Sequence, residues 1–177
     1  SISCPLSHKM ERSTGQCCFK CVEKDSVCTV FGDPHYKTFD GKFYNFQGSC
    51  KYLLTADCTN RSFSIRVTND AGPSGHSSRT KTVSFKMGDI KVNLGRKMRV
   101  KINGLRVDLP YNGPVGNISK DDNNNILVNS VIGIKLYWNG AGYLEVMAPI
   151  SYKKKLCGLC GNFNSIVRDD LTTRNGN

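Results

Sequence analysis

Val83-Ser84-Phe85-Lys86-Met87-Gly88-Asp89-Ile90-Lys91-Val92-Asn93-Leu94 decides the fold class of this chain. Val83, Phe85 and Met87 alternate with polar residues, and Ile90, Val92 and Leu94 resume the alternation after Gly88-Asp89. Successive side chains of a strand point to opposite faces, so this period-2 pattern is that of half-buried strands joined by a two-residue turn. Such a turn pairs Met87 with Ile90, Phe85 with Val92 and Val83 with Leu94, which puts all six apolar residues on one face. Downstream, Met98, Val100 and Ile102 lead into Asn103-Gly104, a strong type I′ turn signal, and Leu105, Val107 and Leu109 follow. The expected pairs are 102–105, 100–107 and 98–109. Upstream, Phe63, Ile65 and Val67 give another amphipathic strand, and a third hairpin is expected around Asn139-Gly140 between residues 134–138 and 143–146. No amphipathic helix longer than two turns is evident. The expectation is a mainly β chain, an antiparallel β-sandwich stapled by disulfides with a small cysteine-rich N-terminal appendage. Residues 110–125 are rich in Gly, Asn and Asp and read as an exposed loop, and the polar tail after Asp170 is expected to fray.

The chain has 177 residues, enough for one domain with a real core and a small appendage. Its 25 Lys+Arg against 14 Asp+Glu give a net charge of +11, which predicts attraction to polyanions. The 9 cysteines against 3 histidines argue for a disulfide framework rather than metal ligation, and therefore for an oxidising, extracellular setting. Two glycosylation sequons, at Asn60 and Asn117, agree with a secretory route. No apolar run approaches membrane-spanning length and no signal peptide is evident, so membrane insertion is not expected, and nucleic acid falls behind glycans as the polyanion. Residues 1–27 hold Cys4, Cys17, Cys18 and Cys21 with almost no aliphatic residues, so disulfides must hold them, in one of three connectivities. Ser1-Ile2-Ser3-Cys4 reads as the interior of a further module, so the chain is expected to be part of a larger secreted protein.

Three stretches carry a family resemblance. Residues 28–41 read Cys-Thr-Val-Phe-Gly-Asp-Pro-His-Tyr-Lys-Thr-Phe-Asp-Gly, residues 46–54 Phe-Gln-Gly-Ser-Cys-Lys-Tyr-Leu-Leu, and residues 157–164 Cys-Gly-Leu-Cys-Gly-Asn-Phe-Asn, with Asp169-Asp170-Leu171 just after. Together, over residues 28–177, they resemble the von Willebrand factor type D domain. Cys17-Cys18-Phe19-Lys20-Cys21 looks like the end of a von Willebrand type C module, expected over 1–27, and that order of modules is similar to the crossveinless-2 family.

Asn162, Asn164, Asp169 and Asp170, with the Ile166 carbonyl, supply oxygen donors at short spacing, as a hard cation such as Ca²⁺ requires. An ordinary Asn/Asp turn would read the same way. The resemblance implies calcium here with a further ligand from Asp40, in a structural role. In Gly32-Asp33-Pro34-His35 the Asp33 carboxyl can attack its own carbonyl, and His35 is a candidate proton source. The same residues also make a plain turn; the resemblance implies self-cleavage between Asp33 and Pro34, a single-turnover event and not an enzyme activity. Cys157-Gly158-Leu159-Cys160 has redox-motif spacing, though in a secreted chain both cysteines are expected to bridge distant partners. A catalytic disulfide isomerase would need both thiols free. The resemblance implies Cys28–Cys160 and Cys58–Cys157, leaving Cys50 unpaired within the chain.

Lys97, Arg99, Lys101 and Arg106 are expected on the solvent face of one hairpin, Lys86 and Lys91 cross-strand on its neighbour, and Lys153-Lys154-Lys155 in a compact run. Six cations on one sheet face repel one another without an anion. The resemblance implies attachment through them to heparan sulfate proteoglycans. The leading function that the resemblance implies is a regulator of bone morphogenetic protein signalling, anchored by its D domain, whose full-length protein meets bone morphogenetic proteins and chordin-like regulators. The alternative is a structural, multimerising module of a mucin-like or von Willebrand-like secreted protein.

Overall fold

The computed structural model describes Cys4 and residues 8–12, 19–71 and 78–164. Cys17, Cys18, Ile166, Asp169, Asp170 and the tail lie outside the described residues. The strands run β1 (His8–Arg12), β2 (Phe19–Glu23), β3 (Ser26–Phe31), β4 (His35–Lys37), β5 (Phe43–Asn45) and β6 (Lys51–Asp57). They continue with β7 (Ser64–Ala71), β8 (Ser78–Met87), β9 (Ile90–Leu94), β10 (Val100–Ile102), β11 (Leu105–Arg106) and β12 (Tyr111–Gly113). The last are β13 (Gly116–Lys120), β14 (Ile126–Ser130), β15 (Lys135–Trp138), β16 (Leu144–Ala148) and β17 (Leu156–Cys157), with one 3₁₀ turn at Ile150–Tyr152. β1 and β2 form a separate hairpin, and Cys4 is bonded to Cys21 within it. The other strands form a seven-stranded sheet, β11-β10-β9-β8-β7-β6-β17, and an eight-stranded sheet, β12-β13-β14-β15-β16-β3-β4-β5.

The two sheets share one core, as period-2 patterning demands of strands with one wet face. Val83, Phe85, Val92 and Leu94 are fully buried, and β8–β9 pair 83–94, 85–92 and 87–90 as the alternation requires. From the eight-stranded sheet, Val30, Ile118, Leu136, Trp138, Leu144 and Val146 face them. The Trp138 Nε1–H donates to the Gly95 carbonyl at 2.8 Å, so the largest buried ring also has its polar end satisfied across the sandwich. A small polar bridge also joins the sheets inside the core. Thr80 donates to the Asn69 side-chain oxygen at 3.0 Å, and Asn69 Nδ2 donates to the Tyr36 hydroxyl at 3.4 Å. Burial raises the Tyr36 phenol above its ordinary range and outweighs the Asn69 hydrogen bond, which by itself would lower it.

Two expectations need correction. Lys97 and Met98 do not open a strand, for both have left-handed backbone (φ 53° and 60°) in the turn that brings β10 back onto β9. The 98–109 pair is therefore absent, while 102–105 forms around Asn103-Gly104, both at positive φ as a type I′ turn needs. Residues 110–125 are not one loop either. Val115 and Ile118 are buried, so β12 and β13 extend the eight-stranded sheet, joined by a tight turn at residues 114–115, and a second turn follows over residues 121–125. There the Asp121 carboxylate accepts the Asn123 and Asn125 amides, both at 2.9 Å.

Candidate anion-binding face and two loop sites

The outward residues of the seven-stranded sheet are set by register. Ile65, Val67, Val83 and Phe85 point inward, so Ser64, Arg66, Ser84 and Lys86 point outward. Lys86 lies directly opposite Lys91 on β9, and Lys101 opposite Arg106. Like charges directly opposite destabilise a sheet. A shallow depression of about 340 Å³ opens on this face, lined by Lys51, Ser64, Arg66, Ser84, Lys86 and Lys91, with no carboxylate in its wall. Among the described residues none of these four cations has an ion pair; the nearby Asp70 is engaged by Lys81 and Arg96 at 3.9 and 3.8 Å.

The sheet thus brings Lys86, Lys91, Lys101 and Arg106 to one face, with Arg99 on the same side next to the Gly95 turn. Lys97 sits in the turn itself. Lys153, Lys154 and Lys155 follow the 3₁₀ turn beside β17, at the opposite edge of the sheet from β11. Lys51 and Arg66 were missed by the sequence reading. Arg66 alternates with Ile65 and Val67 and so was visible as outward-facing, but only the β6–β7–β8–β9 register sets it beside Lys86.

Asp33 occupies the turn between β3 and β4. His35 Nε2 lies 3.1 Å from Asp33 Oδ1, the His35 ring stacks on Phe31, and Pro34 is buried. The second loop joins Asp40 to the segment after Cys160. The Phe39 amide donates to the Cys160 carbonyl, the Asn164 amide donates to Asp40 Oδ2 at 3.0 Å, and the Phe39 and Phe163 rings pack together. Asp40, Asn162 and Asn164 are half-buried, with Asn164 bonded to Asp40, and their side-chain oxygens are of the kind a hard cation takes. Among the described residues no three His, Cys, Asp or Glu side chains converge.

Cys28 is bonded to Cys160 and Cys58 to Cys157, so the Cys157-Gly158-Leu159-Cys160 thiols are both engaged and supply no redox centre. Cys50 is exposed and free. Asn60 is exposed in the turn after β6, and the hydroxyl of its sequon Ser62 donates to Asp57 at 2.6 Å. Asn117 is exposed on the outer face of the eight-stranded sheet. No helix among the described residues is long and apolar enough to cross a membrane.

The chain is similar in sequence to parts of several known proteins. The chain is 38% identical over 151 residues to zonadhesin of Homo sapiens, covering 82% of this chain and 5% of that protein. It is 35% identical over 158 residues to alpha-tectorin of Homo sapiens, covering 85% and 7%. To the IgGFc-binding protein of Homo sapiens it is 31% identical over 157 residues, covering 85% and 3%. The chain therefore spans less than a tenth of each of these relatives. Its disulfides and its relatives make it a secreted, extracellular domain. Residues 28–177 match the von Willebrand factor type D domain, and the chain belongs to that family.

Proposed function

We propose that the chain is a structural, adhesive module of a larger secreted protein, in which the type D domain holds a polyanionic partner on the outer face of its seven-stranded sheet. A sulfated glycan of the heparan sulfate class is the partner whose charge density fits. The observation that carries this reading is the pairing of Lys86 with Lys91 directly across two strands, in a depression shared with Lys51 and Arg66 and free of carboxylates. A sheet tolerates that repulsion more readily when an anion relieves it. Reversing charge there (Lys86→Glu with Lys91→Glu) is expected to weaken retention on immobilised heparin at least tenfold. The same reversal at Lys153 and Lys154 is expected to weaken it less; an equal loss would reduce the face to bulk charge.

The relatives favour this reading over the narrower one, a modulator of bone morphogenetic protein signalling like the crossveinless-2 family, since none of those described carries such a role in its name. The narrower reading keeps the resemblance of residues 1–27 to the end of a type C module. Multimerisation through Cys50 is the route by which a structural module would link chains.

Calcium is proposed at Asp40, Asn162 and Asn164, where it would fasten the turn between β4 and β5 to the loop that follows Cys160. Its removal by chelator is expected to lower the unfolding midpoint, and Asp40→Ala to abolish that difference. Self-cleavage between Asp33 and Pro34 is proposed as a single event in an acidic compartment, supported by the 3.1 Å approach of His35 to the Asp33 carboxylate.

A further inference from the structure

Phe46-Gln47-Gly48 has no part in the functions above, yet it runs beside the Asp33–Pro34 bond. β4 and β5 pair His35 with Asn45, and the Phe46 amide extends that register by donating to the Pro34 carbonyl at 3.5 Å. One step further, the antiparallel ladder sets residue 47 opposite residue 33. There the Gln47 side-chain Nε2–H donates to the Asp33 carbonyl oxygen at 3.3 Å. That oxygen belongs to the peptide bond that self-cleavage would break.

The segment is anchored. The Phe46 ring meets Tyr52 edge-on with centroids 4.9 Å apart. The Tyr52 hydroxyl lies over Gly48, where a Cβ would fall 1.8 Å from it, so any larger residue there would have to push that ring aside. Asp33 is thus approached from two directions, its carboxylate by His35 and its carbonyl oxygen by Gln47.

The geometry points to Gln47 as the donor that stabilises negative charge on the Asp33 carbonyl oxygen during cleavage, an inference that rests on the self-cleavage reading above. A carboxylate oxygen of Asp33 bonds to its own carbonyl carbon, and the π pair moves onto the carbonyl oxygen. Gln47 Nε2–H meets this oxyanion. The carbonyl re-forms, the carbon–nitrogen bond to Pro34 breaks, and the proline nitrogen takes the proton carried by the His35 imidazolium. Asp33 is left as a five-membered cyclic anhydride. That bond cleavage frees the Pro34 amine, and water then opens the anhydride to two carboxyl groups, the Asp33 side chain and the new Asp33 C-terminus. No oxidant, and no reactant beyond water, is needed.

Loss of a buried oxyanion donor slows acyl chemistry by roughly a hundredfold or more. Gln47 is exposed and its bond is long, so a loss of about tenfold is the expected scale. The test follows cleavage of the whole chain by reducing gels and intact mass at pH 5.5 and 7.4, for wild type, Gln47→Leu, Gln47→Lys and Asp33→Ala. Gln47→Leu keeps the bulk and removes the donor; Gln47→Lys restores an N–H donor at similar reach. The expected result is a rate about tenfold lower for Gln47→Leu at both pH values, with most of the rate retained by Gln47→Lys, none by Asp33→Ala, and unchanged unfolding midpoints for both Gln47 variants. Cleavage of Gln47→Leu at the wild-type rate, or equal slowing of Gln47→Leu and Gln47→Lys, would overturn the inference alone. An uncleaved wild-type chain at both pH values would overturn the self-cleavage reading and this inference with it.

Discussion

Asp57 shows how a single side chain fixes a loop. It is 1% exposed at the end of β6, and its carboxylate accepts the amides of Thr59, Asn60 and Ser62 as well as the Ser62 hydroxyl. Burial alone would raise its pKa, but the Ser62 hydroxyl and the three amides together outweigh burial and hold it below the usual carboxylate range. A carboxyl depressed in the folded state adds stability that is present above its unfolded value of about 3.9 and is lost as pH falls through the lower folded one. Asp57→Ala is therefore expected to cost about 2–4 kcal/mol at pH 7, read by urea unfolding, with the gap to wild type shrinking below about pH 4. At this scale the sequence was only half legible. Alternation identified the inward-facing Val83, Phe85, Val92 and Leu94, whereas Asp57, Lys51 and Arg66 depend on neighbours far away in the chain. Gly48 is similar, since nothing local announces that Tyr52 will lie over it.

Hairpins were the elements that sequence specified best, because a two-residue turn links register to a local signal. The 83–94 hairpin follows its alternation throughout, and the hairpin around Asn139-Gly140 closes with Trp138 opposite Leu144. The failures lay where polar residues mark a turn and a strand alike. Asn112, Gly113, Gly116 and Asn117 read as loop, yet buried Val115 and Ile118 turn that segment into sheet. At Met98 the apolar period held while the backbone turned left-handed, so alternation alone gave the wrong partner. Because β8 and β9 supply the centre of the seven-stranded sheet, Phe85→Ala is expected to cost about 3–5 kcal/mol in chemical unfolding. Lys86→Ala on the opposite face of the same strand removes a like-charge contact with Lys91 and is expected to leave stability unchanged or slightly raised.

Across the whole molecule, the first and last strands of the D domain are tied together. Cys28 in β3 and Cys160 after β17 are both fully buried, and their bond closes a separation of 132 residues. A bridge over so long a loop constrains the unfolded chain strongly, so replacing both cysteines by alanine is expected to lower stability by about 3–5 kcal/mol. The same bond would keep the pieces joined after any cut at Asp33–Pro34, because residue 28 stays with the N-terminal fragment and residue 160 with the other. The disulfide-bonded scaffold holds its cations in fixed register on one sheet face, and the proposed function depends on that face. The most direct test is the salt dependence of heparin binding by calorimetry, comparing wild type with the variant in which Lys51, Arg66, Lys86 and Lys91 are alanine. A control with an equal number of cations removed elsewhere, including Lys153–Lys155, accounts for net charge. Counterion release predicts that the face variant binds at least tenfold more weakly, with a log K against log salt slope shallower by about 3, while the control changes much less. Equal affinity and slope for the two variants would contradict the assignment of that face as the binding site.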